Sequence, residues 1–166
     1  MLISRDLSLV FAPFAEQLRD FEARLAAAKL PFYLYMALRT FEDQDELYAQ
    51  GRTKPGSIVT NARGGDSLHN YGLAADYVLD GMPAKPGVQW SWDTKFDSNQ
   101  NGRSGWMDLG AIARAAGLEW GGDWKRFPDL PHVQNRYGLT LAEIKELYRS
   151  CRNDLKAFWA ALKEHV

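Results

Sequence analysis

The sequence predicts a fold of mixed α and β class. Apolar residues recur at helical spacing near both ends of the chain. Between them lie short, densely apolar or aromatic runs of strand length. Each run is bounded by glycine, proline or a residue suited to capping a helix. At 166 residues the chain suits one domain, positions 1–166, built around one core.

Phe14, Leu18, Phe21, Leu25 and Ala28 share one face of a helix, which predicts an amphipathic helix from about Pro13 to Leu30. The run "PFYLYMAL" that follows reads as a buried strand. Thr40 then caps a second helix, with Asp43 in its first turn and Gly51 past its end. Arg39 thus sits at a strand-to-helix junction, on a rigid base. "GRTKPGSIVTNARGGDS" is loop-like, with a short strand expected at Ser57–Thr60. "GLAADYVLD" is the next strand. The segment from Gly81 to Gly105 is a long polar excursion, a length that usually goes with function. "WMDLGAIARAAGL" is a helix closed by Gly117, and "PHVQNRY" a short strand. Thr140 and Glu143 form a capping box that opens a long terminal helix. Its stripe of Leu141, Ile144, Tyr148, Cys151, Leu155, Phe158 and Leu162 fits packing on the domain, with a membrane surface as the alternative.

Composition narrows the function. Twenty basic and 21 acidic residues give a net charge of −1, with no block of like charge, so nucleic acid is not an expected partner. One cysteine, Cys151, forbids an intrachain disulfide and any cysteine zinc knuckle. The N-terminal apolar run is broken by Arg5, Asp6 and Pro13, so no signal peptide is expected. No stretch reaches the roughly 20 apolar residues of a membrane span.

The chain has three histidines, and two sit among chemistry-bearing neighbours. On a strand, Gly72, Ala74 and Asp76 share a face, and the two small residues are expected to leave open space before the Asp76 carboxylate. His69, beyond the bend at Tyr71–Gly72, can turn back into that space. His132 follows Pro128 and Pro131, which exclude a regular helix, and Asp129 lies three residues before it. His69, Asp76 and His132 make three protein ligands with a fourth position open, the pattern of a catalytic zinc, with Asp129 as general base. The same residues also fit a hydrogen-bonded polar histidine and ordinary turn chemistry. His165, next to the last residue, is set aside.

"SLHNYGLAAD" matches S-x-H-x-x-G-x-A-x-D, and "DLPH" places an acid three positions before a histidine. "LRTFEDQDELYAQGR" and "EWGGDW" add two further blocks. Together these resemble the D-alanyl-D-alanine metallopeptidase family, in particular its L-alanyl-D-glutamate endopeptidases of phage endolysin and bacterial wall-hydrolase type. The likeness runs from about Leu7 to Gln134. It implies an α+β fold, with a small antiparallel sheet flanked by helices and zinc held on the sheet, and residues 140–166 as an added long helix. It implies peptidoglycan stem peptides as substrate, His69, Asp76 and His132 as zinc ligands, and Asp129 as base. Arg39 corresponds to an arginine that polarises the scissile carbonyl, against the plainer reading of a structural ion pair. Ser67, Gln44 and Trp124 fall where substrate contacts or support for the ligands are expected. A D,D-carboxypeptidase or dipeptidase releasing D-alanine, and a zinc-binding domain without turnover, are the alternatives. The protein is expected to be a monomer, made in the cytoplasm and acting on the wall after release.

Asp97, Asn99, Asn101, the Arg103 carbonyl and Asp108 fit most of a calcium loop, D-x-[DN]-x-[DN]-G with an acid at position twelve. Position twelve is Asp rather than Glu, and an Asn/Gly-rich surface turn accounts for the same letters. Trp90, Trp92, Trp106, Trp120 and Trp124 could line a peptide groove or fill the core.

Overall fold

The computed structural model describes residues 4–80, 90–91 and 93–166. A five-stranded antiparallel sheet carries helices around it. Its order is β1 (Phe32–Met36), β2 (Ala74–Asp80), β5 (His132–Gln134), β4 (Glu119–Trp120), with β3 (Trp90–Ser91) paired to the far end of β2. The helices are α1 (Ala12–Ala27), α2 (Phe41–Ala49), α3 (Gly105–Ala115), α4 (Leu141–Ser150) and α5 (Leu155–Lys163). The α+β fold and the small antiparallel sheet are as the family resemblance implies. Residues 81–89, the first part of the long excursion, and Trp92 lie outside the described residues.

Helix α1 buries Phe14, Leu18, Phe21 and Leu25, the face its periodicity predicts, and Phe21 meets Tyr77 of β2 edge to face at 5.1 Å. The helix stops at Ala27 rather than Leu30. Lys29 turns left-handed at φ 56° and the Leu30 N–H reaches back to Leu25 O at 3.0 Å. That is a Schellman closure made without glycine. Thr40 accepts from the Asp43 N–H and caps α2 as expected. Helix α3 buries Trp106, Leu109 and Ala113, and Gly117 closes it at φ 75°.

No strand forms at Ser57–Thr60. The loop folds back on the end of α2, and side chains take its carbonyls. Gln50 Nε2 donates to Ser57 O at 3.1 Å and Arg52 Nη1 to Thr60 O at 3.0 Å. With those groups satisfied, no strand partner is required.

The single long terminal helix is instead two. Arg152 and Asn153 both turn left-handed, at φ 56° and 58°, and Asp154 caps α5 by accepting from the Ala157 N–H at 2.7 Å. Asn and Asp offer the backbone local bonds that compete with a continuing helix, and here they break it. The apolar stripe survives the break. Ile144, Phe158 and Leu162 are fully buried in the core, so the stripe is packing surface. Among the described residues, no helix is long and apolar enough to cross a membrane.

Candidate metal centre and cleft

Antiparallel register brings the site together. Asp76 of β2 stands directly opposite His132 of β5, and Ala74 opposite Gln134, so these four share one face of the sheet. A register shift between Leu34 and Met36 of β1 bends that strand beside them, as bulges do near functional sites. His69 comes from the 3₁₀ turn Leu68–Tyr71. Asn70 holds this turn against the start of α2, donating to the carbonyls of Arg39 and Thr40, both at 3.0 Å.

His69 Nε2 and His132 Nδ1 both lie 3.1 Å from the same oxygen, Asp76 Oδ1. One ligand atom from each of the three residues falls within 4.8 Å of the others. The opposite ring nitrogens are already committed. His69 Nδ1 is 2.7 Å from Ala37 O, a group that can only accept, so Nδ1 carries the proton. His132 Nε2 is 2.9 Å from Gln134 Oε1 and donates to it. Each imidazole therefore turns toward Asp76 the nitrogen whose lone pair is available to a metal ion. Two nitrogens and one carboxylate oxygen are donors that suit zinc.

The support of His132 continues outward. Gln134 Nε2 donates to Glu119 at 2.8 Å, and Glu119 accepts from Arg136 Nε at 2.9 Å. Gln134, Glu119 and Arg136 are absent from the sequence prediction. The usable signal was the i, i+2 relation of Gln134 to His132 on a strand.

Arg39 is held at two points. Its guanidinium donates to Asp76 Oδ2 at 3.1 Å and to Gln44 Oε1 at 2.8 Å. Gln44 is fully buried and is itself fixed by donating to Ala62 O at 2.8 Å. The structural ion pair that sequence offered as an alternative is therefore present, and it ties Arg39 to the His69–Asp76–His132 group. Trp124 stands with its ring 5.0 Å from that of His132. Ser67 lines the same cleft but does not support His69, whose ring nitrogens are both engaged by other groups.

Asp129 also lines this cleft of about 630 Å³. Burial and the neighbouring Asp76 charge push its carboxyl up to about 6. Burial lowers His69. Burial opposes the charge on Asp76 as well, but His69 and His132, when no metal is bound and they carry protons toward it, hold its carboxyl well below the usual range. The turn that carries Asp129 needs Gly121: a Cβ there would lie 2.5 Å from Asp129 O and 3.0 Å from His132 Cβ.

Two expectations change. Gly72 does not clear space before Asp76. Its φ of 68° is left-handed, and a Cβ would meet Trp159 Cζ2 at 2.9 Å and Val10 Cα at 3.0 Å. The glycine lets α5 close on the His69 turn. In the candidate calcium loop Asp97 accepts from the Asn101 and Gly102 N–H groups, while Asn99 Oδ1 is buried without a hydrogen-bond partner among the described residues. Asn99 and Asn101 donate to Asp108, and Arg103 lies 3.5 Å from it. Amide and guanidinium donors face Asp108, and the arrangement supports a surface turn rather than an ion site. Of the tryptophans, Trp106 and Trp120 are core, and among the described residues only Trp124 lines the cleft.

A small antiparallel sheet that presents Asp76 and His132, with His69 turned in from the adjoining 3₁₀ turn and a half-buried Asp129 beside them, defines a candidate metallopeptidase centre. Residues 60–135, which contain His69, Asp76, Asp129 and His132, match the family described as D-alanyl-D-alanine carboxypeptidase. Over 123 residues the chain is 49% identical to the peptidoglycan L-alanyl-D-glutamate endopeptidase CwlK of Bacillus subtilis, covering 74% of this chain and 71% of that protein. The fold is similar to that of the crystal structure of the Serratia marcescens L-Ala D-Glu endopeptidase ChiX. The TM-score is 0.52 at 23% identity, over 84% of this chain and 86% of that one. The chain belongs to the D-alanyl-D-alanine metallopeptidase family.

Proposed function

We propose that this protein is a zinc peptidase that hydrolyses the L-alanyl-D-glutamate bond of peptidoglycan stem peptides. The observation that carries the reading is the convergence of His69 Nε2, His132 Nδ1 and Asp76 on one point, in a cleft that also holds Asp129 and Arg39. The activity of the Bacillus subtilis relative CwlK supports this choice of bond. His69, Asp76 and His132 would hold the ion, which when bound supplies Lewis-acid polarisation of the carbonyl and a more acidic water.

The rest falls to the chain's own side chains. Asp129, raised toward neutrality by burial, is suited both to accept and to return a proton. It takes one proton from the attacking water as the oxygen bonds to the alanyl carbonyl carbon. It returns that proton to the glutamyl nitrogen as the C–N bond breaks. Arg39 is fixed by Asp76 and Gln44 and has further N–H groups to donate to the developing oxyanion. Trp124 flanks the peptide. A role as an endolysin, released to the wall from inside the cell, is compatible with this chemistry.

The test is mass spectrometry of purified peptidoglycan digested by the zinc-loaded protein beside Asp129→Ala. We expect new D-glutamyl amino termini from the wild type. The variant should lose at least about 10²-fold in rate while keeping its metal. Release of D-alanine instead would overturn the choice of bond in favour of the carboxypeptidase that the family description names.

A further inference from the structure

Three arginines line the cleft among the described residues: Arg39, Arg126 and Arg136. Two are neutralised internally. Arg39 pairs with Asp76, and Arg136 pairs with Glu119 at 2.9 Å, the carboxylate that also anchors Gln134. Drawing either arginine toward a ligand would loosen the metal cluster or its support. Arg126 is exposed and has no carboxylate partner among the described residues.

Its setting is costly for folding alone. Trp124 and Phe127 flank it, line the same cleft, and stay 36% and 46% exposed. Phe127 is left-handed at φ 58°, a conformation bulky residues avoid, and it precedes Pro128, which disfavours helical backbone before it. Two large apolar rings and an unpaired cation on one strained rim suit recognition of a ligand with apolar and anionic parts.

The proposed substrate has those parts. A glutamyl residue has two carboxyl groups, and the peptide continues from only one. An unamidated junction therefore carries a free carboxylate beside the scissile amide. We infer that Arg126 is a specificity-determining residue that binds this free carboxylate on the leaving-group side of the cut. The inference rests on the endopeptidase reading above. The guanidinium offers a fork of donors that matches a carboxylate, and a neutral amide at the same place would set an N–H₂ against those donors.

The test compares two synthetic stem peptides that differ only in that group, free acid or primary amide, by kcat/KM. The zinc-loaded wild type should prefer the acid by about tenfold, the scale of one charge-assisted contact. In Arg126→Ala the acid-to-amide ratio should fall toward one, and Arg126→Lys should keep part of it. An unchanged ratio in Arg126→Ala, or a wild type without preference, overturns the inference and leaves the endopeptidase reading standing. Cleavage of neither peptide by the wild type removes both.

Discussion

A histidine binds a metal ion through a nitrogen without a proton, so the partner of its other nitrogen sets its readiness to bind. His69 takes that partner from the main chain at Ala37, which substitution cannot remove. His132 takes it from a side chain, Gln134. Gln134→Leu should therefore weaken metal binding by about 10–100-fold while leaving all three ligands in place. Chelator competition monitored by metal content reads this directly, and wild-type affinity in the variant would show that His132 needs no such anchor. The three residues proposed as ligands could be picked out from the sequence. Histidine is rare in this chain, and each of the two used lies near an aspartate. Their supports could not. Gln134, Glu119 and Arg136 are common surface letters. Their alignment depends on β4 pairing with β5, and a two-residue strand leaves no alternation to detect.

Among the elements, one letter was misread because it serves two purposes. Gly72 looks the same whether it clears a pocket or permits a left-handed turn, and only the packing of α5 decides. Trp159 of α5 donates from its indole Nε1 to Tyr71 O at 2.8 Å, and the ring closes over Gly72. Gly72→Ala meets both the positive φ and the close approach to Val10 and Trp159. It should cost about 2–3 kcal/mol, seen as a lower urea midpoint at unchanged slope. A variant as stable as wild type would mean that Trp159 and the turn can shift apart freely. The element boundaries follow the same lesson. Capping by Thr40 and Thr140 was readable because a side chain makes the cap. The end of α1 at Lys29 and the break at Arg152–Asn153 rest on left-handed backbone at non-glycine residues, which sequence does not advertise.

On the scale of the whole molecule, the three proposed ligands tie together segments that are distant in sequence. His69 lies in the turn that α5 covers, Asp76 in the strand at the middle of the sheet, and His132 in the strand beside it. Beneath the turn, Tyr71 packs edge to face on Phe41 and Tyr148 and tilts against Phe158, so the terminal helices and the site share one core. This makes the C-terminal pair part of the support of His69, a role that no sequence pattern reveals. An ion that binds this arrangement and not the unfolded chain must stabilise the whole fold by mass action, by about 4 kcal/mol when free metal stands at a thousand times its Kd. For a chain of this size that is a rise of roughly 8–16 °C in Tm. Chelation of the metal-loaded protein should lower Tm by that amount, and zinc should restore it. In Asp76→Asn, which keeps the shape of the side chain but removes its charge, added zinc should raise Tm far less. An equal rise in that variant would place the stabilising ion elsewhere, because Asp76 is the carboxylate that both imidazoles face.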